Sequence, residues 1–105
     1  MADVIPLPDD RATRKRPIHI EFPTRAFPGQ RFALRMDWND VMGRWTVEIE
    51  HLRREFVVTN SVASLYRPFS YFPYLLFMFA DPSGDADRLT PTNLGDSVKF
   101  FVLPG

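Results

Sequence analysis

Several side chains in this chain of 105 residues are of types that perform chemistry, and their spacing decides what they could do. Asp81, Asp85 and Asp87 are acidic enough for a calcium loop. Such a loop needs oxygen ligands at its first, third and fifth positions, glycine at the sixth and glutamate at the twelfth. Pro, Ser, Gly and Ala stand between these aspartates and no such glutamate follows, so the segment reads as a turn. His19 and His51 are the two histidines. A metal would need further ligands converging on them, and a Ser/His/Asp triad would need a serine on a strained turn that no motif marks. Both are expected to face solvent or a partner. Glu48 and Glu50 share one strand face, as a glycosidase pair might, but a hairpin would set them opposite Arg35 and Arg31 as cross-strand ion pairs. The expectation is a protein that is not an enzyme and has no cofactor and no metal.

Phosphate chemistry fares little better. The five glycines are scattered and match neither a Walker-type nor a dinucleotide-type loop. Arg11, Arg14, Lys15 and Arg16 could grip phosphates, and small barrels bind single strands on aromatic platforms. The aromatics not needed for a core are mainly Phe69, Tyr71, Phe72 and Tyr74. In Tyr66-Arg-Pro-Phe-Ser-Tyr-Phe-Pro-Tyr74 they are interrupted by two prolines and cannot all alternate into one core. Tyr and Arg are enriched at protein interfaces. Tyr66, Arg67, Phe69, Tyr71 and Phe72 are therefore candidate contact residues; a loop folded over one end of the domain is the alternative.

The elements that must position these residues are strands. Ile18, Ile20 and Phe22 alternate with His19 and Glu21, the period of a half-buried strand. Phe32, Leu34, Met36 and Trp38 alternate with polar positions, and after Asn39-Asp-Val-Met-Gly43 the pattern resumes at Trp45, Val47 and Ile49, which predicts a hairpin with both tryptophans inward. Residues 55–59 predict a fourth strand. The apolar run 74–80 predicts a strand buried on both faces, or one whose outer face meets a partner. Residues 81–95 predict a long loop, and 97–103 a last strand antiparallel to 74–80. Residues 60–72 remain unassigned between strand, helical turn and loop. Residues 1–16 predict an extended arm, in which Val4, Ile5 and Leu7 form an apolar hook and Arg11, Arg14 and Arg16 follow. Ile5, Leu7 and those arginines join the candidate contact residues, since such a segment is expected to order only against a neighbour.

A length of 105 residues allows one core that buries roughly 60 to 65% of the unfolded surface. With 45% apolar residues, 10 Phe, 3 Tyr and 2 Trp, that core has large side chains. The absence of cysteine removes disulfides and thiolate metal sites and leaves packing or a partner to supply stability. No run approaches a membrane span and no leader pattern opens the chain, so a soluble, unprocessed protein is expected. The formal net charge of zero gives no field toward nucleic acid or acidic membranes. The expected fold is all-β, a small barrel or sandwich of about six short, mainly antiparallel strands over residues 17–105, with the arm at 1–16.

The order of parts resembles the baseplate plug proteins of simple contractile-tailed phages. The resemblance lies in Ile5-Pro-Leu7, in Phe32-Ala-Leu-Arg-Met-Asp-Trp38 with Gly43-Arg-Trp-Thr-Val-Glu-Ile49, and in Leu94-Gly-Asp-Ser-Val-Lys-Phe-Phe-Val-Leu103. The basic stretch after Leu7 and the aromatic stretch Tyr66–Tyr74 stand outside that pattern. The resemblance implies a structural virion protein of the tail baseplate, assembled in the host cytoplasm and bound to hub and tube subunits. The competing expectation is a small β-barrel that binds single-stranded nucleic acid, with a small hydrolase behind it.

Overall fold

In a computed structural model, residues 3–7, 17–25, 27–53, 55–71, 75–91 and 93–104 are described. They run through eight strands: β1 (Asp3–Ile5), β2 (Ile18–Pro23), β3 (Arg31–Asn39), β4 (Arg44–His51), β5 (Glu55–Val62), β6 (Phe69–Tyr71), β7 (Leu75–Ala80) and β8 (Lys99–Pro104). The strands form two four-stranded antiparallel sheets, ordered β2-β3-β4-β5 and β1-β8-β7-β6. The sheets do not close on each other, so of the two expected architectures the sandwich is the one adopted. Among the described residues no helix is long and apolar enough to cross a membrane.

The period-two pattern builds the first sheet as expected. Phe32, Leu34 and Met36 on β3 face His51, Ile49 and Val47 on β4 across an unbroken register, and all six are buried. The turn between these strands is fixed by Asn39, whose side-chain oxygen accepts the N–H groups of Val41 and Met42 (3.1 and 3.0 Å). Gly43 closes the turn at φ 65°, donating to the Asn39 carbonyl at 2.7 Å; a side chain there would be strained. Trp45 is buried and meets Trp38 edge-on at 5.5 Å, but Trp38 is only half-buried, its indole N–H donating to Asp40 at 2.8 Å. The register also corrects one expected ion pair. Arg35 lies opposite Glu48, but Glu50 lies opposite Ala33 rather than Arg31, and Arg35 pairs along its own strand with Asp37 at 3.8 Å.

β5 is an irregular edge. Its pairing with β4 shifts between Val47 and Ile49 and again between Ile49 and Glu50, and Asn60, in the first shift, takes a left-handed φ of 46°. Bulges of this kind twist an edge away from foreign strands.

In the second sheet, the central strands β7 and β8 direct Leu75, Phe77, Phe79, Phe100 and Val102 inward. The core is an aromatic stack drawn from both sheets. Phe22 meets Phe100 edge-on at 5.5 Å, Phe32 meets Phe77 at 5.5 Å, and Phe77 stacks on Phe100 at 6.0 Å. Offset and edge-on ring contacts add to the area they bury.

The structure departs from the expected arm at its start. Asp3–Ile5 is a strand of the domain's own sheet, paired with Val102–Phe100, and Ile5 is buried in the core with Leu7 packed against it. The reason is the exposed edge of β8, which a short alternating segment can cover while it contributes one inward side chain. Residues 8–16 lie outside the described residues.

Candidate interaction surface

The two sheets differ in what they present to the outside. On the β2-β3-β4-β5 sheet the outward positions of β2, β3 and β4 are His19, Glu21, Arg31, Ala33, Arg35, Asp37, Thr46, Glu48 and Glu50, the mostly polar row expected of an antiparallel sheet with one wet face, and the edge strand β5 adds the exposed Phe56 and Val62 beside Glu50 and Thr46. On the other sheet, alternation sends Val4, Leu76, Met78, Phe101 and Leu103 outward. The register assembles them into two cross-strand rows: Val4 beside Phe101 beside Met78, and Leu103 beside Leu76 beside Ser70. Val4 is 48% exposed and the others half-buried. None of the five packs against the core. A contiguous apolar face on a sheet is a candidate interaction surface. It is also the face anticipated from the apolar run 74–80, whose outer side was expected to meet a partner unless buried.

A hollow of about 270 Å³, lined by Val4, Ile5, Pro6, Leu7, Gly95 and Lys99, extends this face at the β1 end. A second apolar feature is the β3–β4 turn, which holds Val41 97% and Met42 60% exposed. Met42 also borders a groove of about 480 Å³ with Arg44, Val62, Tyr66, Asp87 and Arg88.

The contact residues expected from sequence are distributed differently from that expectation. Ile5 is buried and Leu7 packs against the core. Arg11, Arg14, Arg16 and Phe72 lie outside the described residues. Arg67 is exposed. Phe69 and Tyr71 sit on the inward side of β6, where Phe69 meets Phe79 edge-on at 6.5 Å and Tyr71 meets Phe32 at 6.1 Å. The Tyr71 hydroxyl donates to Glu55 at 2.8 Å and so ties the two sheets together along their β5 and β6 edges. Tyr66 is 45% exposed and takes a left-handed φ of 60°, a conformation that a bulky residue adopts at a cost of about 1–3 kcal/mol. Three bonds offset that cost. Its N–H donates to the Phe79 carbonyl at 2.8 Å, and its hydroxyl reaches the carbonyls of Asp81 and Ala86 at 3.3 and 3.4 Å. Tyr66 therefore clamps the following loop as well as bordering the groove.

Two titratable residues, His51 and Asp81, are engaged in structure. His51, expected at the surface, is buried: its Nε2 lies 2.8 Å from Gln30 Oε1, and its ring packs against Phe27, Phe32 and Tyr71. Strand alternation alone turns His51 inward, opposite Phe32. Among the described residues no three His, Cys, Asp or Glu side chains gather as a metal site. Asp81 organises its own loop. Its carboxylate accepts from the Ser83 hydroxyl (2.7 Å), the Ser83 N–H (2.9 Å) and the Ala86 N–H (2.9 Å), and the Ser83 hydroxyl, followed by these amides, holds its pKa below the ordinary 3.8. A depressed carboxyl pKa stabilises the fold above the unfolded value and loses that contribution as pH falls through the folded value. Thermal midpoints of the wild type and Asp81→Asn should therefore differ most above pH 3.8 and converge below it. A gap that stays constant with pH would show that the charge contributes nothing.

A family model described as "Cyanophage baseplate Pam3 plug gp18" matches residues 4–105. The chain belongs to this family. The match takes in all of the sandwich except Asp3, the first residue of β1, and it bears out the resemblance seen in the hairpin and the last strand. No curated protein and no solved structure matches the chain. Membership of a baseplate plug family makes this a structural protein of the phage tail baseplate, a setting in which an apolar sheet face has other baseplate components to meet.

Proposed function

We propose that this plug subunit works by being packed in place: it lodges against hub and tube neighbours at the centre of the baseplate, having been assembled there in the host cytoplasm, and it performs no catalytic step. The observation that carries this reading is the outer face of β7 and β8 with β1, where Val4, Leu76, Met78, Phe101 and Leu103 form an apolar surface on a sheet whose other face is already core. Interface cores of this composition exclude water and leave charged residues to the rim.

The test is a double substitution, Met78→Glu with Phe101→Lys. These positions are directly opposed across β7 and β8, so opposite charges there keep a favourable cross-strand pair while removing the apolar surface. The unfolding midpoint should stay close to wild type, within about 1 kcal/mol in stability. Co-purification with co-expressed hub and tube proteins should be lost. Retention of that complex would rule out this face as the contact.

A further inference from the structure

We infer that two copies of this chain pair through the outer edge of β2, in antiparallel register centred on Ile20. The four sheet edges differ in how well they are protected. β1 and β6 are three residues long, and β5 is interrupted by two register shifts. β2 is six residues long, pairs with β3 in unbroken register, and among the described residues has no strand on its other side. A six-residue edge without a bulge or a lysine can serve as a template for another strand.

The sequence of β2 then selects a second copy of itself. Antiparallel pairing must keep inward residues opposite inward ones, since a slip by one residue would turn the apolar set outward. Three registers satisfy this over a useful length. With His19 opposite its own copy, two histidines meet, each backed by Arg35 on β3. With Glu21 opposite its own copy, two carboxylates meet. With Ile20 opposite Ile20, both His19–Glu21 pairs are of unlike type, Ile18 lies opposite Phe22 on the core side, and Pro17 and Pro23 fall opposite each other at both ends. Proline has no N–H to give, so the ladder stops at each end at the same place in both copies. Only this register is symmetric about the residue that the fold leaves half-covered: Ile18 and Phe22 are buried, whereas Ile20 between them is not. A two-fold axis through Ile20 would cover it with its own copy and join two four-stranded sheets into one of eight, the self-complementary arrangement of an isologous dimer. The paired edge leaves the apolar face of the opposite sheet free, so this inference does not depend on how that face is used.

The chain lacks cysteine, which allows a register-specific test on the full-length protein. His19→Cys and Glu21→Cys are made separately. Directly opposed residues in an antiparallel pair lie about 4.5–5.5 Å apart at Cα, within the span of a disulfide. Under mild oxidation a mixture of the two variants should form a cross-linked dimer, and neither variant alone should do so. In sedimentation, the wild type should show a reversible monomer–dimer equilibrium, His19→Glu should raise its dissociation constant roughly tenfold by setting like charges opposite each other twice, and His19→Glu with Glu21→Lys should restore it. Cross-linking within either single variant, a wild type that stays monomeric, or a dimer indifferent to His19→Glu would overturn the inference.

Discussion

Trp45→Ala should lower the unfolding free energy by ~3–5 kcal/mol, enough to move the midpoint by about 4–8 °C for each kcal/mol in a domain of this size. Trp45 is the largest fully buried side chain, and it stands opposite Trp38 at the turn end of the β3–β4 hairpin, so its loss leaves a cavity on the inner face of that sheet. Trp38→Ala should cost less than half as much. The two rings touch, but Trp38 is half-buried and its N–H is satisfied by Asp40 at the turn. Among the described residues the buried Trp45 N–H has no acceptor, so Trp45→Phe should recover much of the loss: it keeps a ring and removes a donor that is costly to leave unpaired. Equal losses for both alanine variants, measured by urea unfolding, would show that the two rings are equally engaged.

Removal of residues 1–7 should destabilise the isolated domain by at least the ~2–5 kcal/mol of losing one buried isoleucine. Ile5 leaves the core, the backbone edge of β8 from Phe100 to Val102 loses its ladder, and the core beneath Phe22 and Phe100 opens to water. Thermal unfolding followed by circular dichroism decides the matter. An unchanged midpoint would mean that β1 adds nothing to the fold and serves a neighbour instead, as an arm would.

How far the fold could be read from the sequence follows from how local its signals are. The β3–β4 hairpin carries its whole pattern within twenty or so residues, with a turn whose Asn and Gly do the work their types suggest, so it was legible. So were the buried strand β7 and its antiparallel partner β8. β1 and β6 were not, because each is three residues long and is a strand only by virtue of a distant partner edge. The Glu50 position was misjudged because a turn's residue types do not state its register, and the partner of every later residue depends on that count. The candidate surface was half legible. The run of apolar residues in β7 pointed to two buried faces or a partner, yet Phe101 and Leu103 join it only through the pairing. Conversely, Phe69 and Tyr71 looked spare in sequence, and it took the short strand β6 to turn both of them onto the core. His51 was expected to face solvent or a partner although it continues the inward alternation of Val47 and Ile49; only its partners Phe27 and Gln30, which come from a different segment, were beyond the local pattern.

The pairing of β1 with β8 has a consequence for the order in which the molecule can form. Translation reaches β8 after every other described strand, so the sheet β1-β8-β7-β6 has no central strand pair until β8 has been made, whereas β2-β3-β4-β5 can zip up hairpin by hairpin as it emerges. Closing contacts so distant along the chain is slow, because the loop entropy is lost before the contacts form. The apolar outer face exists as a surface only once that last strand has docked, so a neighbour that recognises it would accept finished subunits and pass over nascent ones.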